Sequence, residues 1–288
     1  NMLPNNFEYI EADMFKLDEK CFKFTEFNGK RIKVMRAGKQ GAQKLLFIHG
    51  FNFFVKMYST NMNAFCQHFD VLSMDLPGHG GSDAFEHYSQ ELFMNCIFSI
   101  CQSENFSDFI VSGHSMGGMF AILVYQSEQF KQLRPQKCVA FAPAGLGLCI
   151  TAGHVACAIP MLTKFISIKT MFDMTVADNN KRANSKFHQY RQQMDEIFFN
   201  QVVTDEDKKK FIERQVQMLS SMAWSKSQKE YIKADSENLK IIAQTEDVYV
   251  NSMKLIHFVQ NKMSDAQLVI EPGIHETCIF RPKWALQH

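Results

Sequence analysis

The residues best suited to chemistry form the run Gly113-His114-Ser115-Met116-Gly117-Gly118. A serine at G-x-S-x-G spacing suits a sharp turn from strand to helix, because larger side chains two residues either side of it would collide. The turn leaves Ser115 in a strained backbone conformation with its hydroxyl exposed. At the start of the following helix the backbone amides point outward and favour a developing negative charge. The amide of Met116 is the first such donor. A second is expected from Phe47-Ile48-His49-Gly50-Phe51, where a turn at the end of an apolar strand brings the Phe51 amide toward the same oxygen. Two donors lower an acyl-transfer barrier more than one, each by roughly 3–4 kcal/mol.

A serine nucleophile needs a base, and the base needs an orienter. The chain has ten His. His49 and His114 lie inside the two motifs, and His79 lies in the loop DLPGHGGSD (75–83). His257 falls in a helical pattern and reads as a packed or surface residue. His288 is terminal and is expected to be mobile. His275 directly follows the last strand-like run, QLVIEPG (267–273), and is the well-placed base in the order serine, acid, histidine. Asp247 follows the strand-like run LKIIAQ (239–244) by a few residues and is the expected acid, with Glu246 beside it as the alternative. The acid's task is to hold the imidazole tautomer and stabilise the imidazolium.

These residues need elements to bring them together. FKFTEF (22–27) and RIKVMRAG (31–38) flank Asn28-Gly29, a strong hairpin signal. KLLFIHG (44–50), FDVLSMD (69–75), DFIVSG (108–113) and KCVAFAP (137–143) are continuous apolar runs of the kind buried on both faces of a parallel sheet. Helical patterns over 86–104, 116–130 and about 251–263 lie between or after them. A hairpin followed by βα units implies an α/β fold with a mostly parallel central sheet and flanking helices. Residues 147–235 interrupt the alternation and are rich in helix formers, Met and Phe, with Thr204 before Asp205-Glu206-Asp207 as a helix start. They read as an inserted α-helical cap, leaving 1–146 and 236–288 as the core. The basic run KRANSKFHQYR (181–191) reads as a solvated helix face.

Composition bounds the partners. The 288 residues carry 31 Lys plus Arg against 30 Asp plus Glu, a net charge of +1, which argues against a nucleic-acid partner. The eight Cys form no C-x-x-C pair and sit mostly in apolar runs; they read as buried, reduced thiols, and so as a cytoplasmic setting. The first residues carry no signal-peptide pattern. Residues 138–163 lack charge, but Pro143, Gly145, Gly147, Gly153 and Pro160 break the run. A strand, a loop and an apolar helix fit it better than a transmembrane span, with peripheral membrane contact of the cap as an alternative. No His or Cys spacing matches a metal site, and no cofactor is called for.

With HGF (49–51), DLPGHGGSD (75–83), GHSMGG (113–118), Asp247 and His275 in this order, the chain resembles the α/β-hydrolase fold superfamily, above all its capped esterase, lipase and aminopeptidase-like members. The resemblance spans nearly the whole chain. It implies Ser115 as nucleophile, His275 as base, Asp247 as acid, Phe51 and Met116 as oxyanion donors, and 147–235 as a cap over the pocket. Relatives that open epoxides or remove halides use an aspartate at the position of Ser115, so those reactions are disfavoured. Three departures stand out: Gln244 where a Gly is usual before the acid, Ile274 where a Gly often precedes the histidine, and a short segment after His275.

The expected reaction is cleavage of a carboxylic ester through an acyl-enzyme on Ser115. Met161, Phe165, Phe172, Met174, Phe198 and Phe199 of the cap are candidate liners for an apolar acyl group, and so for a small lipophilic ester substrate. Thioesters, amides and peptides share the machinery, as do carbon–carbon hydrolases and lyases. A ligand-binding or signalling protein on the same scaffold is the alternative of a different class.

Overall fold

Asn28 and Gly29 both take positive φ, 50° and 71°, which a two-residue hairpin turn needs to match the twist of its strands. They join β1 (Phe22–Phe27) to β2 (Lys30–Gly38), with Phe27 opposite Lys30. The computed structural model describes residues 17–146, 214, 217, 218, 237–247 and 249–288. The apolar runs form β3 (Lys44–Ile48), β4 (Asp70–Met74), β5 (Phe109–His114), β6 (Lys137–Phe141), β7 (Leu239–Gln244) and β8 (Gln267–Glu271). All eight make one sheet in the order β1-β2-β4-β3-β5-β6-β7-β8. β2 runs antiparallel to β1 and β4, and the remaining pairs are parallel.

Alternation along the central strands divides the core into two layers. Leu46, Ile48, Val111, Cys138, Ala140 and Ile241 face α2 (Gln90–Ser103), α3 (Met116–Gln126) and α4 (Ser252–Lys262). Leu45, Phe47, Val139, Phe141 and Ile242 face α1 (Ser59–Cys66), α5 (Thr277–Phe280) and α6 (Pro282–Gln287). The order of strands reverses between β3 and β5: the chain leaves β3 for β4 on one side and returns to β5 on the other. Crevices at the carboxyl ends of strands around such a reversal are where open α/β sheets bind ligands. The loops carrying Phe51 and Ser115 leave β3 and β5 at this point.

Several expectations need correction. The helical run over 116–130 breaks at Ser127, which is extended (ψ 142°); a 3-10 turn over Glu128–Leu133 follows. Helix α1 has no apolar periodicity to announce it, because it buries Ser59 and Asn61 as well as Met62 and Phe65. Asn61 is accommodated by donating to the Cys278 carbonyl at 2.8 Å. Cys21 and Cys66 are half-buried, while Cys96, Cys101, Cys138 and Cys278 are buried; all six are free thiols. Burial pushes the Cys66 thiol up to about 11, with Cys21 and Asp70 adding to it. The terminal His288 is anchored: its backbone carbonyl accepts from Lys137 and Lys240, and its ring packs edge-on against Trp284.

The cap expected over 147–235, and with it the basic run and all six candidate pocket liners, lies outside the described residues except for Arg214, Gln217 and Met218. Met218 is fully buried in the layer that holds α2 and α3. Arg214 lies against Gly78 and Tyr88, and burial draws its guanidinium below the usual arginine range against the pull of Tyr88. Among the described residues no helix is long and apolar enough to cross a membrane.

Phe120 on α3 is fully buried against the sheet, its ring 5.3 Å from that of Phe93. Phe120→Ala is expected to lower the stability to denaturant by about 3–5 kcal/mol, the cost of a large aromatic cavity. A midpoint in urea unchanged from wild type would contradict this packing.

Candidate active site

The turn from β5 into α3 holds Ser115 at φ 57° and ψ −120°, a region that L-residues rarely occupy. Neighbouring backbone maintains it. The Ser115 amide donates to the Phe141 carbonyl at 2.9 Å, and the Ser115 carbonyl accepts from Ala144 at 3.0 Å. Gly113 and Gly117 are required by close approach. A Cβ on Gly113 would run into the Gly117 carbonyl, and a Cβ on Gly117 into the carbonyls of Ile48 and His49. The start of α3 therefore sits directly against the end of β3, where the Phe51 loop begins.

That loop is tied in place from several directions. The buried His49 donates from Nδ1 to the Gly50 carbonyl at 2.7 Å and accepts from the Leu76 amide at Nε2, 2.9 Å away. Burial holds this histidine down to about 4, so it is neutral. Gly50 donates its amide to the Tyr58 hydroxyl at 3.0 Å. A Cβ on Gly50 would lie 3.3 Å from the His114 carbonyl oxygen, so this loop and the Ser115 turn are in contact. Asp75 braces the neighbouring loop, accepting from the Val55 amide at 2.8 Å and the Gly81 amide at 2.9 Å. Burial lifts its carboxyl above the usual carboxylate range, and those two amides work against the rise. Among the described residues neither the Phe51 nor the Met116 amide donates a backbone hydrogen bond.

Asp247 and His275 come together from the loops after β7 and β8. His275 Nδ1 lies 2.6 Å from Asp247 Oδ2, and both side chains are buried. The other carboxylate oxygen of Asp247 accepts from the amides of Tyr249 and Val250, each at 2.8 Å. Its neighbour Glu246 instead uses its backbone amide to bond the Gly273 carbonyl at 2.9 Å, joining the two loops. Burial alone would push His275 down; the Asp247 charge and hydrogen bond, with a contribution from Glu276, more than offset this and hold it above its ordinary value. Among the described residues no hydrogen bond joins the Ser115 hydroxyl to His275. The two are linked through His114, whose Nε2 lies 2.9 Å from the His275 carbonyl oxygen and whose ring centroid is 4.6 Å from that of His275. Hydrogen bonds between catalytic groups commonly tighten only when substrate is bound.

The departures noted in the sequence are absorbed locally. Gln244 is buried at the end of β7 with its side chain against Gly273. Ile274 packs into the layer of α1 and α6. After His275 the chain forms α5 and α6, and Trp284 of α6 donates to Glu271 at 2.8 Å. His257 lies exposed on α4 and is hydrogen-bonded to Asn261 one turn on. Among the described residues, sequence reasoning passed over Tyr58; only its position eight residues after Gly50 in an apolar stretch hinted at burial. Among the described residues no group of three or more His, Cys, Asp or Glu is placed to hold a metal ion.

An eight-stranded sheet with a serine on a strained strand-to-helix turn and an acid–histidine pair on the last two strand ends defines a hydrolase-type α/β protein. The profile of the alpha/beta hydrolase family matches residues 45–272, and the chain belongs to that family. It is 31% identical over 107 residues to epoxide hydrolase 4 of Mus musculus, covering 36% of this chain and 30% of the relative. It is 32% identical over 80 residues to a Haemophilus influenzae protein provisionally named an esterase/lipase, 28% of each chain. These matches thus span about a third or less of either relative's length. Among solved structures, the enol-lactonase from Burkholderia xenovorans superposes with a TM-score of 0.69 at 16% identity, over 92% of this chain and 98% of that one. A hydrolase from Pseudomonas aeruginosa gives 0.70 at 14% identity, over 92% and 95%.

Because His275 is held above 6.5 in the folded chain, its pairing with Asp247 stabilises the fold fully below that pH and is lost as pH rises through the higher folded value. Asp247→Asn keeps the burial and removes the charge, so the His275 imidazole is expected to titrate below 6.5. An NMR titration of the ring reads this; an unchanged or higher value would mean that Asp247 is not what holds it up.

Proposed function

We propose that this chain is a serine hydrolase that cleaves a carboxylic ester through an acyl-enzyme, with Ser115, His275 and Asp247 as its triad. The observation that carries the reading is the buried 2.6 Å contact of His275 Nδ1 with Asp247, set beside a serine on a strained turn. The contact fixes which ring nitrogen bears the proton. Nδ1–H is spent on the carboxylate, which leaves Nε2 as the lone-pair base for the serine proton.

In the proposed reaction the Ser115 oxygen attacks the acyl carbon as His275 Nε2 takes its proton. The acyl oxygen becomes an oxyanion, stabilised by the amides of Met116 and Phe51. Among the described residues neither amide donates to a backbone carbonyl, which supports that role. The imidazolium formed is stabilised by Asp247 and passes the proton to the departing alcohol. Water then attacks the acyl-enzyme with the same nitrogen as base, and Ser115 is regenerated with release of the acid.

A serine rather than an aspartate at this turn favours the ester reading over epoxide opening, although epoxide hydrolase 4 is among the relatives. The esterase/lipase named among them is in line with it. An apolar acyl group, received by Met161, Phe165, Phe172, Met174, Phe198 and Phe199 of the 147–235 cap, remains part of the proposal, with the reducing cytoplasm as its setting.

Turnover of p-nitrophenyl esters of increasing acyl length tests the reaction and the chain preference together. Ser115→Ala is expected to lower kcat by at least about a thousandfold. The wild-type kcat/KM should rise with pH through an apparent pKa above 6.5, since His275 must be neutral to accept a proton and is held above that value. Ester turnover that survives Ser115→Ala, or that falls as pH rises through this range, would sink the proposal.

A further inference from the structure

This inference rests on the serine-hydrolase reading and deepens it. His114 precedes Ser115 and is fully buried, yet the acyl chemistry makes no use of its ring. Its Nε2 lies 2.9 Å from the His275 carbonyl oxygen. A carbonyl only accepts, so Nε2 carries the proton and Nδ1 is an acceptor. The Tyr58 hydroxyl, 2.7 Å from Nδ1, therefore donates to it. The same hydroxyl oxygen accepts the Gly50 amide at 3.0 Å. Three hydrogen bonds thus run in one direction, from the Gly50 amide through Tyr58 and His114 to the His275 carbonyl. Such a buried, fully satisfied chain fixes its members more firmly than separate bonds would.

The surroundings keep His114 in this one form. Burial pushes it well below the ordinary histidine value, and His275 beside it works in the same direction. A protonated ring would donate from both nitrogens and oppose the Tyr58 hydroxyl. The rings of Phe53 and Tyr58 pack edge-on to His114 at 5.8 and 5.9 Å. On its other side His275 meets Asp247, the neighbouring Glu276 and the Tyr249 ring, 5.1 Å away.

We propose that His114 and Tyr58 are positioning residues, which lock the loop of the base, the turn of the nucleophile and the loop of the second oxyanion donor into one rigid unit. The hydrogen bonds that carry the tie run to backbone and to each other: His114 to the His275 carbonyl, Tyr58 to His114 and Gly50. Asp247 orients the His275 ring through Nδ1, and His114 holds the backbone from which that ring projects. Tyr58 continues the tie to Gly50, the residue before Phe51.

Three variants test the tie: Tyr58→Phe, which deletes one oxygen; His114→Leu, which deletes both hydrogen bonds of the ring; and His114→Gln, whose amide nitrogen can replace Nε2 as donor. Tyr58→Phe and His114→Leu are expected to lower ester kcat by about 10- to 100-fold with KM within about twofold, as for a small misplacement of reacting groups. His114→Gln should recover most of the loss. A second readout is independent of turnover. The NMR signal of the His275 Nδ1 proton, identified by its disappearance in Asp247→Asn, should shift in Tyr58→Phe and His114→Leu and stay near its wild-type position in His114→Gln. A folded Tyr58→Phe protein with wild-type kcat and an unmoved His275 signal overturns the proposal, even if His114→Leu fails to fold. If Ser115→Ala keeps wild-type ester turnover, the hydrolase reading fails instead; the response of the His275 signal to Tyr58→Phe still decides the positioning role.

Discussion

Everything in the site depends on how closely the start of α3 approaches the end of β3. The contact is backbone on backbone, and it exists because Gly113 and Gly117 carry no side chain. It forces Ser115 to φ 57° and ψ −120°, a local cost of order 1–3 kcal/mol that the surrounding sheet must cover. What it gives in exchange is geometry. The first amides of a helix, the loop after β3 and the side chain of Ser115, which is buried rather than exposed as the sequence suggested, all meet at the reversal point of the sheet. A methyl group at Gly117 would meet the carbonyls of Ile48 and His49. It would separate the two loops even if every polar residue of the site were left unchanged.

Burial acts alike on the histidines of the site, and neighbouring charge then sets one of them apart. His49, His79, His114 and His275 are all buried close to one another. For the first three, desolvation dominates and holds the ring down, so each is a neutral structural link between loops. His275 is subject to the same desolvation, but Asp247 reverses the outcome. The Asp247 carboxylate can remain in the interior because its other oxygen accepts two backbone amides. An unpaired carboxylate at this depth would be neutralised or expelled. What sets His275 apart from the three struts is thus its neighbouring carboxylates, Asp247 above all with Glu276 adding to it, since the four residue types are identical.

This accounts for what the sequence makes legible. The Asn28-Gly29 hairpin, the parallel apolar runs and the strand–serine–helix turn are local, and each is written in a contiguous stretch. Chain order alone pointed to Asp247 and His275, which the structure joins at 2.6 Å. It favoured Asp247 with Glu246 as the neighbouring alternative, since both lie in one turn, and in the structure it is Asp247 that engages the amides of Tyr249 and Val250 as well as His275. Helix α1 was invisible for a similar reason: its buried Asn61 reads as solvent-facing until Cys278, distant in the chain, supplies an acceptor. The end of α3 at Ser127 and the anchoring of His288 by Lys137 and Lys240 are likewise tertiary effects that override local pattern. Tyr58 belongs to the same group, since its partners come from β5 and the loop after β3.

The departures from the family pattern show why such a site tolerates divergent sequence. Gln244 and Ile274 replace glycines that the resemblance would place around the acid and the histidine. The two loops nevertheless keep their register through bonds that no side chain supplies: Thr245 to the Glu271 carbonyl at 3.0 Å and Glu246 to the Gly273 carbonyl at 2.9 Å. The backbone freedom that one glycine would give is moved to Gly273, where a side chain would strike Gln244 and Thr277. Ile274 then buries its side chain beneath the loop and adds apolar contact to the layer of α1 and α6. Since main-chain bonds and close approaches define the frame, most side chains outside these contacts are free to change. A fold shared over nine-tenths of the chain at 14–16% identity is what that division of labour between backbone and side chain produces.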